Sequence, residues 1–276
     1  NGILESGEID YSTTYCSTYD IWQVKDIRSG SSSSNLGSAM EILVGDTIYF
    51  DANDGSNGYE LWAHDTSGSS TWMVADIFSG SGSSTPGSDL KILVGDTIYF
   101  SATDGSNGEE LWAHDTSNSS TWMVADIRSG GSSSFPGSFM QILVGDTIYF
   151  SAHNGFNGDE LWAHDTSNSS TWMVADINSG SSGSEPGYYM QILVGDTIYF
   201  SATGASNGYE LWAHDTSNSS TWMVADIRSG QSSSHPGSNM EILVGDTIYF
   251  DADDGSTGYE LWAFETVSIQ HNIIYG

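Results

Sequence analysis

Apolar and polar positions along this chain fall into short runs that recur at a fixed interval. In the first copy the runs are MEILV at 40–44, TIYFDA at 47–52, YELWAHDT at 59–66 and TWMVADI at 71–77. Each is rich in β-branched and aromatic residues, and each is bounded by Gly, Ser, Asn or Asp, the signature of short strands. No run has a helical period, and the density of Ser and Gly opposes one. Between the first two runs Gly45 and Asp46 form a tight hairpin signal. Between the second and third, Asp54-Gly55-Ser56-Asn57-Gly58 is a longer turn rich in residues that accept positive φ.

The whole pattern returns every fifty residues. LVGDTIYF stands at 43–50, 93–100, 143–150, 193–200 and 243–250, and ELWA follows in each copy. TWMVADI occurs four times, and a diverged relative, IWQVKDI, precedes the first full copy at 21–27. Four antiparallel strands repeated radially describe the blade of a β-propeller. The expected fold is therefore all-β, a five-bladed β-propeller over 21–266 with extensions at 1–20 and 267–276. The lone strand at 21–27 is expected to complete the last blade, which ends at 259–266, and so to close the ring. Within a blade the MEILV run is expected innermost and the TWMVADI run outermost. Strand parity then places the long Ser/Gly loop, as at 29–38, and the DGSNG loop at one end of the blades. The VGD turn and the DTSNSS loop lie at the other.

The copies differ chiefly at the first of these ends. The residue at position 35 becomes Thr85, Phe135, Glu185 and His235 in later copies, Ala39 becomes Asp89, Phe139, Tyr189 and Asn239, and Tyr59 becomes Glu109, Asp159, Tyr209 and Tyr259. A uniform scaffold with one varied face places contacts on that face.

Charge narrows the partners. The 276 residues carry 36 Asp and Glu against five Lys and Arg, a net −31. Phosphate-tracking surfaces need clustered bases, so nucleic acid is excluded as a partner. No run approaches a membrane span, so membrane insertion is not expected either. The acidic surface and an N-terminus without Met fit a secreted protein. Asn118, Asn168 and Asn218 head Asn-Ser-Ser sequons for glycosylation. Cys16 is the single cysteine, and a homodimer through Cys16 or through the terminal segments is an open expectation.

The ELWAHDT and TWMVADI runs, followed by SGSGSSTPGS and TIYFSATDGSNGEELW, resemble the bacterial ELWxxDGT repeat family. The resemblance covers roughly 21–266; it departs in having HDTSNSS where the family has a DGT turn, and in the placing of PGS. It implies extracellular, β-propeller-like repeats and no defined activity. In blade number and repeat length the chain is also similar to five-bladed lectins of the tachylectin-2 type, though not in motif.

Candidate chemistry follows from the varied face. A glycosidase needs two carboxyls in unlike environments, and near-identical blades supply like ones, so no catalytic set is expected. Repetition instead favours multivalent binding, and the leading expectation is a lectin with up to five equivalent sites for glycans or glycoproteins. The residues expected to hold sugar are Asp54, Asn57 and Tyr59, with Asp104, Asn107 and Glu109, Asn154 and Asn157, Asn207 and Tyr209, and Asp254 and Tyr259. The alternative is a calcium-binding adhesive protein with Ca²⁺ at Asp51, Asp54, Asp251 and Asp254; around the first Gly turn Asp51, Asn53, Asp54 and Glu60 are the oxygen ligands. A carrier of an apolar molecule or chromophore is the third. The Trp62 and Trp72 series are expected to pack between blades, and the His64 series to be hydrogen-bonded at strand ends.

Overall fold

The computed structural model describes residues 21–266, and Cys16 with both terminal extensions lies outside them. Within them the chain forms nineteen strands in five sheets, a β-propeller-like array of blades. The first blade comprises β1 (Glu41–Val44), β2 (Thr47–Asn53), β3 (Tyr59–Asp65) and β4 (Ser70–Ala75). The second repeats it as β5 (Lys91–Val94), β6 (Thr97–Thr103), β7 (Glu109–Asp115) and β8 (Ser120–Ala125). The third has β9 (Gln141–Val144), β10 (Thr147–His153), β11 (Asp159–Asp165) and β12 (Ser170–Ala175). The fourth has β13 (Gln191–Val194), β14 (Thr197–Gly204), β15 (Asn207–Asp215) and β16 (Ser220–Ala225). The fifth has three strands, β17 (Glu241–Val244), β18 (Thr247–Asp253) and β19 (Tyr259–Glu265).

Strands follow one another antiparallel in sequence order, as the loop lengths require. The first strands of neighbouring blades face each other. The Lys91 N–H donates to Gln141 Oε1 at 3.1 Å, the Gln141 N–H to Gln191 Oε1 at 3.1 Å and the Gln191 N–H to Glu241 Oε2 at 3.2 Å. In the fourth strand of each complete blade a register shift opposite Leu61 and Trp62, and their counterparts, leaves one residue unpaired, a β-bulge. Val74 and Ile77 pack on the core, whereas Trp72, Trp122, Trp172 and Trp222 stay about 40% exposed on the outer strands, against the expectation that this series packs between blades.

The core lies between blades. Met40, Tyr49, Leu61 and Ala63 of the first blade meet Ile98, Phe100 and Ala102 of the second, and the same pair of faces recurs at the next three junctions. Each Tyr also packs against the next blade's His, Tyr49 on His114 at 5.4 Å and Tyr99 on His164 at 5.2 Å, with Phe264 taking that place against Tyr199. Trp112, Trp162, Trp212 and Trp262 pack against these cores, as expected of inter-blade aromatics.

The expected seam between the fifth and first blades is not made. Residues 21–26 form no strand, and β19 has no fourth-strand neighbour among the described residues. Met240 and Leu261 are 42% and 66% exposed where Met40 and Leu61 are fully buried, and on the first blade Ile48 and Phe50 are only half-buried. A cavity of about 820 Å³ lies there, with Val24, Ile27 and Leu36 on its lining together with Ile48, Phe50 and His64. Val24 and Ile27 are the repeat counterparts of Val74 and Ile77, which line the complete junctions. The cavity thus has the walls of a junction and lacks the face that Met240, Tyr249, Leu261 and Ala263 would supply.

Candidate functional site

The two varied loops do share one end of the array. The Asn53 N–H donates to the Ser34 carbonyl at 3.0 Å, and the Tyr59 N–H to Ser83 Oγ at 3.0 Å, with equivalents in later copies. At the other end the Thr66 N–H donates to the Asp46 carbonyl at 2.8 Å. The exposed sequon residues Asn118, Asn168 and Asn218 belong to that second end, away from the varied face.

A buried glutamate organises each varied loop. Glu60, Glu110, Glu160 and Glu210 are fully buried. Glu60 Oε2 accepts from the Ile77 N–H and from Ser84 Oγ, both at 2.7 Å, and Oε1 accepts from the Ser84 N–H at 3.1 Å. The group therefore ties the end of its own outer strand to the start of the next blade. Burial pushes Glu110 and Glu160 up to about 7, against the hydrogen bonds they accept.

Immediately after that serine comes the most varied position of the repeat, and its backbone is left-handed in every copy. Asn35, Thr85, Phe135, Glu185 and His235 have φ of 44°, 45°, 48°, 47° and 48°. A β-branched or bulky residue is an outlier there, and four of the five also precede Pro, which disfavours helical conformations. The preceding blade's carbonyl holds three of them: the Thr85 N–H donates to the Tyr59 carbonyl and the His235 N–H to the Tyr209 carbonyl, each at 3.3 Å, and the Glu185 N–H to the Asp159 carbonyl at 3.0 Å, while the Asn35 N–H donates to Ser33 Oγ at 3.1 Å. Such strain costs about 1–3 kcal/mol per residue and persists only where its surroundings impose it.

The side chains so presented meet the other varied positions. Asn35 Nδ2 donates to the Tyr59 hydroxyl at 2.6 Å, and His235 Nδ1 lies 3.0 Å from the Tyr259 hydroxyl. In the fourth and fifth blades these positions form one group of rings. Tyr189 meets Tyr209 and His235 edge-on, both at 5.1 Å, while His235 stacks near-parallel with Tyr209 at 6.0 Å and with Tyr259 at 6.4 Å. Tyr188, half exposed, joins Tyr189 at 4.6 Å and Phe139 at 5.2 Å. Between the second and third blades the face is acidic instead. Ser88 Oγ donates to Glu109 Oε1, and burial together with the Glu109 charge pushes Asp89 up to about 6. Asp159 and Glu185 are raised too, mainly by burial. The environments on this face are unlike, although the scaffold beneath them is uniform.

The Asp-Gly loops are tightly self-bonded. Asp54 Oδ1 accepts from the Ser56 and Asn57 N–H groups at 2.8 Å, and Oδ2 from Asn57 Nδ2 at 2.8 Å. Burial acts to raise its pKa, but these bonds hold it below the ordinary carboxylate value, as they do for Asp104 with Asn107. Hydrogen bonds from Thr257 and Ser256 likewise lower Asp254. Asn154 and Asn157 make the same turn, with Asn157 Nδ2 reaching Asp176 at 2.8 Å, whereas around Asn207 the strands simply extend. Asp51 is buried and accepts from the Ala39 and Met40 N–H groups at 2.8 Å, and Asp251 does likewise at 2.9 Å from Asn239 and Met240. Ser101, Ser151 and Ser201 accept the same amide bonds in the other copies, so this position serves the backbone. Among the described residues no group of three or more His, Cys, Asp or Glu side chains converges on a point. His64, His114, His164 and His214 each pair Nδ1 with a Thr hydroxyl at 2.8 Å, the strand-end role expected of them.

Sequence reasoning reached Tyr59, Tyr189, Tyr209 and Tyr259 but not Tyr188 or the joining role of His235. Tyr188 was legible as the one copy reading PGYY where in the others Ser follows the Gly. The buried Glu60 series was considered only as a source of oxygen ligands.

No family model matches the chain, and no curated protein does. Among solved structures, puromycin hydrolase is similar with a TM-score of 0.49 and 10% identity, over 80% of this chain and 34% of that one. TolB from Acinetobacter baumannii is similar with a TM-score of 0.41 and 14% identity, over 78% of this chain and 53% of that one. A puromycin-hydrolyzing peptidase of Mycobacterium tuberculosis gives 0.49 and 9%, over 81% and 35%. The chain thus spans between a third and about half of these proteins.

Proposed function

We propose that this chain is a secreted carbohydrate-binding protein whose ligand face is the end carrying the varied loops. The observation that carries the reading is the left-handed residue at position 35 and its counterparts, held in the same backbone conformation in every copy while its side chain changes, at greatest cost for Thr85, Phe135 and Glu185. A scaffold that maintains such strain beneath its most varied residues is maintaining contacts. Half-exposed tyrosines beside hydroxyl and amide groups supply what a sugar needs, an apolar plane flanked by hydrogen-bonding partners.

The ring belongs to the same reading. We infer that residues 21–27 add a fourth strand to β19 and that the fifth blade's free face fills the cavity over the first. Shifted by fifty positions, the junction bonds would bring the Ile27 N–H and Ser34 Oγ to Glu260, which lies exposed without them. Closure also accounts for the apolar lining of that cavity without a bound carrier molecule.

A glycan array followed by calorimetry tests the binding function. Millimolar or tighter binding to at least one glycan class is expected. A chain that binds no glycan at millimolar concentration is not a lectin.

A further inference from the structure

The varied face is not fivefold. We propose that it binds one linear, uncharged polysaccharide along a single aromatic track crossing the third to fifth blades, in place of five separate sugars; this rests on the carbohydrate-binding reading. The track is Phe139, Tyr188, Tyr209, His235 and Tyr259, with centroid steps of 5.2, 5.7, 6.0 and 6.4 Å, and Tyr189 wedged edge-on against Tyr188, Tyr209 and His235. Rings in unbroken contact across three consecutive blades make a strip too long for one sugar and suited to several laid end to end. The strip stops where the repeat changes: at the matching positions of the first two blades stand Asn35, Ser38, Ala39, Thr85, Ser88, Asp89 and Glu109, with Tyr59 the one ring among them.

Charge selects the chain. At a net −31, an anionic polysaccharide meets repulsion over the whole molecule. The three arginines at the base of this face do not offset it: Arg228 is paired with Asp253 at 2.5 Å, and Arg28 and Arg128 are two charges against 36 Asp and Glu. An uncharged chain pays no such penalty and can stack its ring faces on the tyrosines. A proline-rich peptide would also stack on aromatic residues, and it enters as a competing outcome.

The test is calorimetry on the full chain with cello-, laminari- and N-acetylchito-oligosaccharides of graded length, with alginate oligomers and a proline-rich peptide alongside. One site per chain is expected for at least one series, with affinity rising about tenfold or more from its shortest to its longest member. Tyr188→Ser and Tyr189→Ala install residues that sister blades carry at those positions, so folding should survive, as an unchanged melting temperature would show. Each should weaken the long oligosaccharide about tenfold and flatten the dependence on length. Several equal sites per chain, or affinity independent of length, overturn the track and leave the lectin reading standing. Tighter binding of alginate or of the peptide overturns it as well. Failure of every sugar overturns both.

Discussion

At the residue scale, the glutamate of ELW shows how much one buried carboxyl can organise. Glu110 and Glu160 titrate near 7 in the fold against an ordinary value of 4.5. Between those values the folded chain holds protons that the unfolded chain has released. Their contribution to stability is therefore full below about pH 4.5 and is lost as pH rises through 7. The lowered Asp54, Asp104 and Asp254 act with the opposite sign, but only below the ordinary aspartate range. Burial also lowers His114, His164 and His214, which oppose the glutamates once pH falls below the ordinary histidine value of 6.5. The melting temperature should rise as pH falls from 8 to about 6.5, above the range in which those histidines act, by an amount equivalent to roughly 1–2 kcal/mol in all. Glu110→Gln and Glu160→Gln combined should flatten that slope when melting is followed by circular dichroism. A slope unchanged in the double variant would place the pH dependence elsewhere. The sequence showed this glutamate beside an acidic turn and so among oxygen ligands. Its burial depends on the facing blade, which no local pattern reveals. The left-handed backbone of this series was hidden for a related reason, because Thr85, Phe135 and Glu185 do not favour it and only Asn35 and His235 are of types enriched there.

At the scale of elements, hydrophobic runs and turn residues were enough to order the strands and to sort the loops between the two ends. Both are local properties, read from alternation and from Gly-Asp or Asp-Gly signals. Packing of the varied loops on one another was not legible, and it rests on close backbone approach. Gly58 has a φ of +75°, and a Cβ there would come 1.8 Å from the Gly82 carbonyl oxygen. Gly45, at +58° in the tight hairpin, would meet nothing within 4 Å. Gly45→Ala should cost about 1 kcal/mol, from conformation alone. Gly58→Ala adds a backbone collision and should cost at least about 3 kcal/mol, separating β3 from the following loop. Urea unfolding of the two variants gives the comparison, and equal losses would mean that the loops are not in contact at Gly58.

At the scale of the molecule, the repeat made a closed ring the natural expectation, whereas the described fold leaves two complementary faces apart. The complete blades give the register that closure would take: within the first blade Ala63 lies opposite Trp72, so Ala263 would lie opposite Trp22. Directly opposed strand residues are about 4.5–5.5 Å apart at Cβ, within reach of a disulfide after slight adjustment. In a Cys16→Ser background, Trp22→Cys with Ala263→Cys should oxidise within one chain, leave the protein monomeric on gel filtration and raise its melting temperature by several degrees. Dimers or longer chains linked through these cysteines would show that the faces meet between molecules.

The sameness of the four junctions has a further consequence. Each blade offers one neighbour the face of Met40, Tyr49, Leu61 and Ala63, and the other the face of Ile48 and Phe50. Nothing in either face records a blade's place in the order. Gain or loss of one fifty-residue unit would leave every internal contact intact and present the same two surfaces at the ends. Blade number is therefore invisible to the packing of any one pair and is judged only at the seam, where the accumulated rotation either brings the last face onto the first or does not. A lineage built this way can change its count in a single recombination event, with its varied face carried along unit by unit.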